Sequence, residues 1–212
     1  MGRRIMVVGN GEIPEGVAEV IDAGDLVIRF NESRSFGPGG SRTDVVAVCS
    51  TGRPARRMLA SEDWRSSKPI ADCGAIWSVR DPQKFAEMRP LLKVSHPELD
   101  DFCDDMSVEL GAFAADRGKQ HYIVPRAIHE AVDAALAEHE PGDYVVPSSG
   151  LIVIAELMNN PVYAGSSISI AGFGHQGWDG HPFAAEKRLV DAYVAAGQIT
   201  RLHQPLALSQ GT

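Results

Sequence analysis

Cysteine is scarce in this chain of 212 residues. The three that occur, Cys49, Cys73 and Cys103, are an odd number and lack the spacing of a metal-binding cluster. A chain of this length buries enough apolar surface to fold without disulfide bonds. We therefore interpret the cysteines as reduced thiols that fill small apolar spaces, which is typical of a cytoplasmic protein.

Positive charge is also in short supply. The chain has 20 lysines and arginines against 28 aspartates and glutamates, which gives a formal net charge of -8. Proteins that bind nucleic acids neutralise phosphates with an excess of basic side chains, so a nucleic-acid partner is not expected. There is no run of 18 apolar residues and no signal-peptide pattern, which predicts no membrane span and a cytoplasmic location.

Short apolar runs alternate with helical patterns along the whole chain. Such alternation is typical of a parallel sheet whose strands are connected by helices. The sequence predicts an α/β, Rossmann-like fold with a mostly parallel, doubly wound sheet and helices on both of its faces. Because no linker or repeat interrupts the pattern, we expect residues 1–212 to form a single domain.

The individual elements follow from hydrophobic periodicity and from glycine and proline positions. Strands are predicted at residues 5–8, 25–30, 44–49, 74–79, 122–124 and 168–173, with a further strand-like segment at 144–146. Helices are predicted at residues 14–23, 53–59, 97–115, 127–139, 150–158 and 182–196. One more helix is predicted to start at Asp81 and to be limited by Pro90, since proline interrupts a helix.

A glycine loop follows the first predicted strand, at the edge of the sheet where doubly wound proteins bind ligands. Gly9-Asn10-Gly11 could begin a dinucleotide-binding motif, with Glu32 about twenty residues later as the acid that holds the ribose. The third glycine of that motif would fall at Pro14. Two interpretations stay open, an NAD-dependent enzyme and a glycine turn with a purely structural role.

A second candidate site is the turn that opens the predicted helix at 150–158. Ser148, Ser149 and Gly150 stand directly before its apolar residues. Hydroxyls and free N–H groups at the start of a helix suit a carboxylate or a phosphate. The alternative is that the serines only cap the helix.

Two histidines follow the last predicted strand. His181 precedes Pro182, which predicts a solvent-facing cap residue that is either a general base or an ordinary surface histidine. Glu186 could orient the imidazole only if His181 departs from helical geometry. His175 opens a glycine-spaced loop that contains Asp179, and because no paired-histidine pattern supports a metal site, we expect neither a metal nor a cofactor.

Taken in order, these pieces resemble the motifs of animal-type sialyltransferases, glycosyltransferase family 29. Val-Val-Gly-Asn at residues 7–10 and Arg-Phe-Asn at 29–31 resemble the large motif of that family. Pro-Ser-Ser-Gly at 147–150 resembles the small motif, and His181 with Glu186 resembles the very small motif, a histidine and a glutamate separated by four residues. The resemblance extends over residues 4–192.

The resemblance implies an inverting, metal-independent glycosyltransferase that moves sialic acid or a similar acidic sugar from a CMP-sugar. The acceptor would be a hydroxyl of a carbohydrate or another molecule. By position, the donor-binding residues would be Gly9, Asn10, Asn31, Ser148, Ser149 and Gly150, and the catalytic residues His181, Glu186 and His175. His181 would be the general base, Glu186 would support it, and either His175 or Gln176 would contact the phosphate.

Two alternatives to a transferase stay open. A catalytically silent accessory protein could keep the fold and bind CMP or a nucleotide sugar, because a fold by itself does not fix an activity. The NAD-dependent enzyme described above is the other alternative. The sequence leaves the identity of the acceptor and the formation of a homo-oligomer open.

Overall fold

The computed structural model describes residues 2–203, so Met1 and residues 204–212 of the predicted domain lie outside it. Within the described residues, seven strands form one sheet in the order β5-β4-β3-β2-β1-β6-β7, and every neighbouring pair is parallel. The strands are β1 (Arg4–Val8), β2 (Leu26–Phe30), β3 (Val45–Val48), β4 (Ala75–Ser78), β5 (Gln120–Ile123), β6 (Ser167–Ala171) and β7 (Thr200–Arg201). From β1 the chain adds β2 to β5 on one side and then returns to add β6 and β7 on the other side, so the direction of strand addition changes between β1 and β6.

Helices connect the strands and cover both faces of the sheet. They are α1 (Ala18–Asp22), α2 (Gly52–Ala60), α3 (Glu62–Arg65), α4 (Lys68–Asp72), α5 (Pro82–Ser95), α6 (Ser107–Asp116), α7 (Arg126–Ala137), α8 (Ser149–Asn159) and α9 (Phe183–Ala195). Short 3-10 turns occur at Pro97–Leu99 and Pro161–Tyr163. The predicted fold class, a doubly wound parallel sheet with helices on both faces, is confirmed.

The strand β1 shows how the sequence builds the two faces. Successive side chains of a strand point to opposite sides. Ile5 and Val7 pack with apolar residues of α7, α8 and α9, while Met6 and Val8 pack with Ile21 of α1 on the other face. Burying each such side chain stabilises the fold by roughly 1.5–3 kcal/mol, so a continuous apolar run specifies a strand covered on both faces.

Two predicted helix boundaries are wrong. The helix α5 does not stop at Pro90 but continues to Ser95, because Phe85 and Leu92 anchor it in the core on both sides of the proline. The prediction of one helix over residues 97–115 is also wrong, since only the second half forms α6. Residues between the two parts cross to the end of β3, where Thr51 and Asp105 form an isolated β-bridge.

Two further segments differ from prediction. The helix predicted at 14–23 is reduced to α1, five residues that start at Ala18, so a long irregular loop follows β1. The strand-like segment 144–146 is not a strand, because the N–H groups of Val145 and Val146 donate to the carbonyl oxygen of Gly180 rather than to a sheet neighbour. This contact holds the turn before α8 against the loop before α9.

Candidate functional site

A cleft of about 1040 Å³ opens at the carboxyl ends of β1, β2, β3, β4 and β6. The nine residues predicted as site residues all line it: Gly9, Asn10, Asn31, Ser148, Ser149, Gly150, His175, His181 and Glu186. The carboxyl ends of parallel strands meet at one edge of a sheet, which explains why residues far apart in sequence come together here. Their individual environments decide what each can do.

The glycine loop after β1 is in backbone contact with the loop after β6. The N–H of Gly9 donates to Ala171 O at 2.8 Å, and the N–H of Gly11 donates to Gly172 O at 2.9 Å. A Cβ atom on Gly9 would lie 2.3 Å from the oxygen of Gly172, so no larger residue fits. This geometry agrees with the structural interpretation of the glycine turn, and no helix of useful length starts at the loop to receive a pyrophosphate.

The amide groups of both asparagines tie loops together. Asn10 Nδ2 donates to Phe30 O at 3.1 Å, and Asn10 Oδ1 accepts from the N–H of Arg34 at 2.9 Å. Asn31 adopts a left-handed conformation with φ 51°, and its Oδ1 accepts from the N–H of Cys49 at 2.8 Å. Both side chains therefore shape the floor of the cleft. The Nδ2 of Asn10 is engaged, whereas the Nδ2 of Asn31 donates to no residue among 2–203.

Glu186 joins α9 to α8 through Ser148. The backbone N–H and the hydroxyl of Ser148 donate to the two carboxylate oxygens of Glu186, each at 2.6 Å. The Ser148 hydroxyl in turn accepts from the N–H of Leu151, so Ser148 caps α8 as the structural alternative predicted. The predicted support of His181 by Glu186 does not appear among the hydrogen bonds of Glu186. Burial raises the pKa of Glu186 despite the two donors and the nearby charge of Arg80.

His181 is partly buried rather than solvent-facing, because the aromatic rings of Trp178 and Phe183 pack against it. The helix α9 begins at Phe183 with Pro182 as its cap residue, so the prediction that His181 is the cap is wrong. Its Nδ1 lies 2.8 Å from Val146 O. Because a carbonyl only accepts, Nδ1 carries the proton and Nε2 is an acceptor. Burial lowers the pKa of His181 to about 4, so the imidazole is neutral at pH 7.

His175 occupies the other end of the same loop. It adopts a left-handed conformation with φ 47°, and Arg201 Nη2 donates to its Nε2 at 3.4 Å. Burial, and then the positive charge of Arg201, lowers the pKa of His175 to about 4. Both histidines of the cleft are therefore neutral acceptors and weak bases at neutral pH.

Sequence reasoning missed Arg80, which lines the cleft directly after β4. Its side chain is buried, and Nη1 donates to Pro147 O at 3.0 Å. The charge of Arg80 acts on His181 and Glu186: it adds to the lowering of the His181 pKa that burial causes, and it offsets part of the rise that burial causes in the pKa of Glu186. The signal was available, because a polar residue that follows a predicted strand marks the same edge of the sheet as Asn31 does.

A second missed feature is an aromatic contact that closes one side of the cleft. Phe102, in the segment between Pro97–Leu99 and α6, lies against Trp178 with ring centroids 5.4 Å apart. The segment of Phe102 is held to α2 by ion pairs, among them Arg56 to Asp104 at 2.8 Å and Arg53 to Asp101 at 3.1 Å. These contacts fix two loops over the cleft.

The described residues contain neither a metal-binding cluster nor a membrane-spanning helix. Among residues 2–203, no group of three or more histidine, cysteine, aspartate or glutamate side chains is placed to hold a metal ion. Over the same residues, none of the helices has the length and apolar character needed to cross a membrane.

The fold is similar to that of sialyltransferases. A mammalian sialyltransferase superimposes with a TM-score of 0.54 and 18% identity over 96% of this chain and 70% of that one. The sialyltransferase CstII from Campylobacter jejuni, solved with the substrate analogue CMP-3FNeuAc, gives a TM-score of 0.51 and 12% identity over 97% and 83% of the two chains. At these identities the likeness concerns the fold, and the chain has a sialyltransferase-like α/β fold.

Sequence comparison identifies the family. No protein-family model matches the chain. Over 208 residues it is 50% identical to the urease operon 23 kDa accessory protein of Rhizobium meliloti (strain 1021), which covers 98% of this chain and 96% of that protein. The chain belongs to the family of this accessory protein.

This relationship corrects the predicted function. The sequence predicted a sialyltransferase-like glycosyltransferase with a CMP-sugar donor and a hydroxyl acceptor, and a near full-length relative with 50% identity is instead an accessory protein of a urease operon. The prediction of a glycosyltransferase is wrong, and the relationship does not test its two alternatives, a silent nucleotide-sugar-binding accessory protein and an NAD-dependent enzyme. The motif resemblance identified the fold and did not identify the activity.

Proposed function

We propose that this chain is an accessory protein for urease, needed for the normal production or activity of that enzyme and not itself a glycosyltransferase. The observation that carries the proposal is the 50% identity to the urease operon accessory protein over 98% of the chain. Identity at this level over almost the whole length leaves no room for a different domain arrangement in the compared part. The expected partners are therefore proteins of the urease system.

We also propose that the cleft is a binding site and that the nine predicted residues form it in three groups. Gly9, Asn10 and Asn31 set its floor, because they tie the strand ends to their neighbouring loops. The turn at 148–150, with Glu186, forms one wall. His181 and His175 offer neutral imidazoles, and the Nε2 of His181 is suited to accept a hydrogen bond from a ligand.

Three further predictions are retained as part of this proposal. A single domain over residues 1–212 is supported by one sheet that takes strands from both ends of the described chain, β1 and β7. A cytoplasmic location agrees with three cysteines that are all free thiols. The absence of a nucleic-acid partner agrees with the net charge of -8.

The accessory role is tested by genetic complementation. The gene for the 50%-identical protein is deleted in Rhizobium meliloti and replaced by a gene for this chain. Urease activity per amount of urease protein is then measured in cell extracts. We expect the deletion to lower this ratio or the amount of urease, and this chain to restore it. Full urease activity in the deletion strain, or failure of this chain where the original gene succeeds, would refute the role.

The cleft is tested in the same strain with a pair of histidine variants. His181→Asn keeps a donor for Val146 O, because the amide nitrogen of asparagine occupies the position of Nδ1, and it removes the acceptor Nε2. His203→Asn makes the same change at an exposed histidine outside the cleft. We expect the first variant to complement less well than the second at equal protein levels. Equal complementation would separate the cleft from the accessory role.

A further inference from the structure

Arg80 is a buried cation that makes no ion pair with the part of the chain that the structure describes. The residue is 2% exposed. Its Nη1 donates to the Pro147 carbonyl at 3.0 Å, and its Nε is buried and has no partner. Among residues 2–203, no carboxylate oxygen lies within 4.0 Å of its guanidinium. Burial of a charge that is not paired destabilises a protein. The buried position of Arg80 therefore indicates a functional role rather than a contribution to stability.

The position of Arg80 relates it to two helix starts. Its backbone N–H donates to the hydroxyl of Ser50 at 3.1 Å, and Ser50 lies two residues before α2. Its guanidinium contacts Pro147, which lies two residues before α8. Both helices have more than two turns and begin at the cleft, but they differ in their free donors. In α2 the N–H of Gly52 donates to Asp104 O at 2.9 Å, and Pro54 has no N–H, whereas the first N–H groups of α8 carry partial positive charge. Arg80 thus adds a full charge beside the anion-attracting start of α8.

Thr51 supplies a second, independent observation at this end of the cleft. It is the cap residue of α2, but its hydroxyl makes no capping bond. The residue is 2% exposed, lines the cleft, and its Oγ1 has no hydrogen-bond partner among residues 2–203. Buried hydroxyls without partners are rare in folded proteins and require an explanation. A ligand oxygen at this end of the cleft would provide that partner.

The carboxylates near this part of the cleft are already engaged. Glu186 binds the N–H and the hydroxyl of Ser148, and Asp101 pairs with Arg53 and Arg56 on α2. Neither of these acids makes an ion pair with Arg80. The first-turn N–H groups of Ser149 and Gly150, at the cleft, have no acceptor within α8. The charge balance of this corner therefore favours an added anion.

We propose that Arg80 and Thr51, with the first turn of α8, bind the oxyanion of a small molecule, a carboxylate or a phosphate. A guanidinium presents parallel N–H donors that match both groups, and bonds to a charged acceptor are about twice as strong as neutral ones. This inference rests on the proposal that the cleft is a binding site, and it does not depend on the accessory role. It assigns the cleft a class of ligand.

The test uses the purified chain and simple anions as probes. Thermal unfolding is followed in inorganic phosphate, in succinate and in chloride at equal ionic strength. Phosphate and similar anions also stabilise folded proteins without a site, so we expect phosphate or succinate to raise the midpoint of the wild type, relative to chloride, by more than it raises that of Arg80→Gln. The anion that shows this difference is the preferred oxyanion. Arg80→Gln should weaken the apparent affinity about tenfold or more, since bonds to charged groups contribute roughly 1.5–3 kcal/mol. Arg126→Gln, with the same charge change on an exposed side chain, should behave as the wild type.

A second variant keeps the test decisive if Arg80→Gln does not fold. Thr51→Val removes only the hydroxyl without a partner, so it should leave the midpoint in chloride unchanged and lower the affinity for the active anion severalfold. Equal midpoints of the wild type in all three salts would overturn the inference. Wild-type affinity for the active anion in both Thr51→Val and a folded Arg80→Gln would also overturn it, as would wild-type affinity in Thr51→Val if Arg80→Gln does not fold. Successful complementation with failed anion binding would refute this inference and leave the accessory role intact.

Discussion

The contact of Glu186 with Ser148 is the connection between α8 and α9 that we expect to contribute most to stability at the cleft. Glu186 is 2% exposed and receives two hydrogen bonds of 2.6 Å. In Glu186→Ala, the N–H of Ser148 would remain near the interior without its acceptor, which costs about 1–3 kcal/mol. A buried space the size of the side chain would be left as well. We expect a total loss of about 3–4 kcal/mol.

For a protein of 150–250 residues, each kcal/mol lowers the midpoint of thermal unfolding by roughly 2–4 °C. Glu186→Ala should therefore unfold roughly 6–16 °C below the wild type. Ser148→Ala removes both the cap of the Leu151 N–H and the hydroxyl donor to the Glu186 carboxylate, so it should lose roughly 2–4 kcal/mol. In a double-mutant cycle by urea unfolding, the two changes should show a coupling of about 1–2 kcal/mol, as expected for residues in direct contact.

The pH dependence gives this reasoning a second check. Burial raises the pKa of Glu186 in the folded state above the ordinary value of 4.5. The folded state then binds the proton more tightly than the unfolded state, so the stability contribution of Glu186 is greatest below pH 4.5 and falls as pH rises. Glu186→Gln resembles the protonated form. The amount by which its free energy of unfolding lies below that of the wild type should therefore shrink between pH 4.5 and 7. Additive energies for the Ser148 and Glu186 variants, or a disadvantage that grows with pH, would refute the account.

Other parts of the structure give three further predictions. Gly9→Ala should destabilise the chain by at least about 2 kcal/mol in urea unfolding, because the new Cβ meets Gly172 O and overpacking of this kind costs 1–3 kcal/mol; an unchanged midpoint would contradict the backbone contact. Burial lowers the pKa of His129 to about 3, so the wild type should lose about 2 kcal/mol between pH 6.5 and 5 through this group, and His129→Phe should lose less over the same interval. Pro90→Ala should raise the midpoint, because the interior of α5 regains a backbone donor for Ala86 O; a lower midpoint would show that the proline is needed.

The fold was predictable because its strands are buried on both faces. A strand such as β3, Val45–Val48, consists only of apolar residues, and its limits were predicted to within one residue. The error at 97–115 has the same origin. The apolar residues of its first half have helical spacing, but Phe102 packs against Trp178 and Phe85 instead. Periodicity records that a side chain is buried and does not record which neighbour covers it.

The site was predictable in position and not in the roles of its residues. Strand-end residues were expected to gather, and all nine line one cleft. What Glu186 contacts depends on the distance between α8 and α9, which no local pattern contains. The same is true of Arg80, whose importance comes from burial without a carboxylate partner. The function was predicted from motifs that specify the fold, and a relative with 50% identity corrected it.

The pairing of β1 with both β2 and β6 has a consequence for synthesis on the ribosome. Five residues of β1 pair with Ser167–Ala171, so one side of the central strand stays open until roughly 160 further residues have been made. At 5–20 residues per second, the nascent chain presents that open edge for roughly 8–30 s. An unpaired apolar strand edge is a template for association with other chains. Chains that end before β6 should therefore aggregate or need a chaperone, whereas the completed chain closes its own edge.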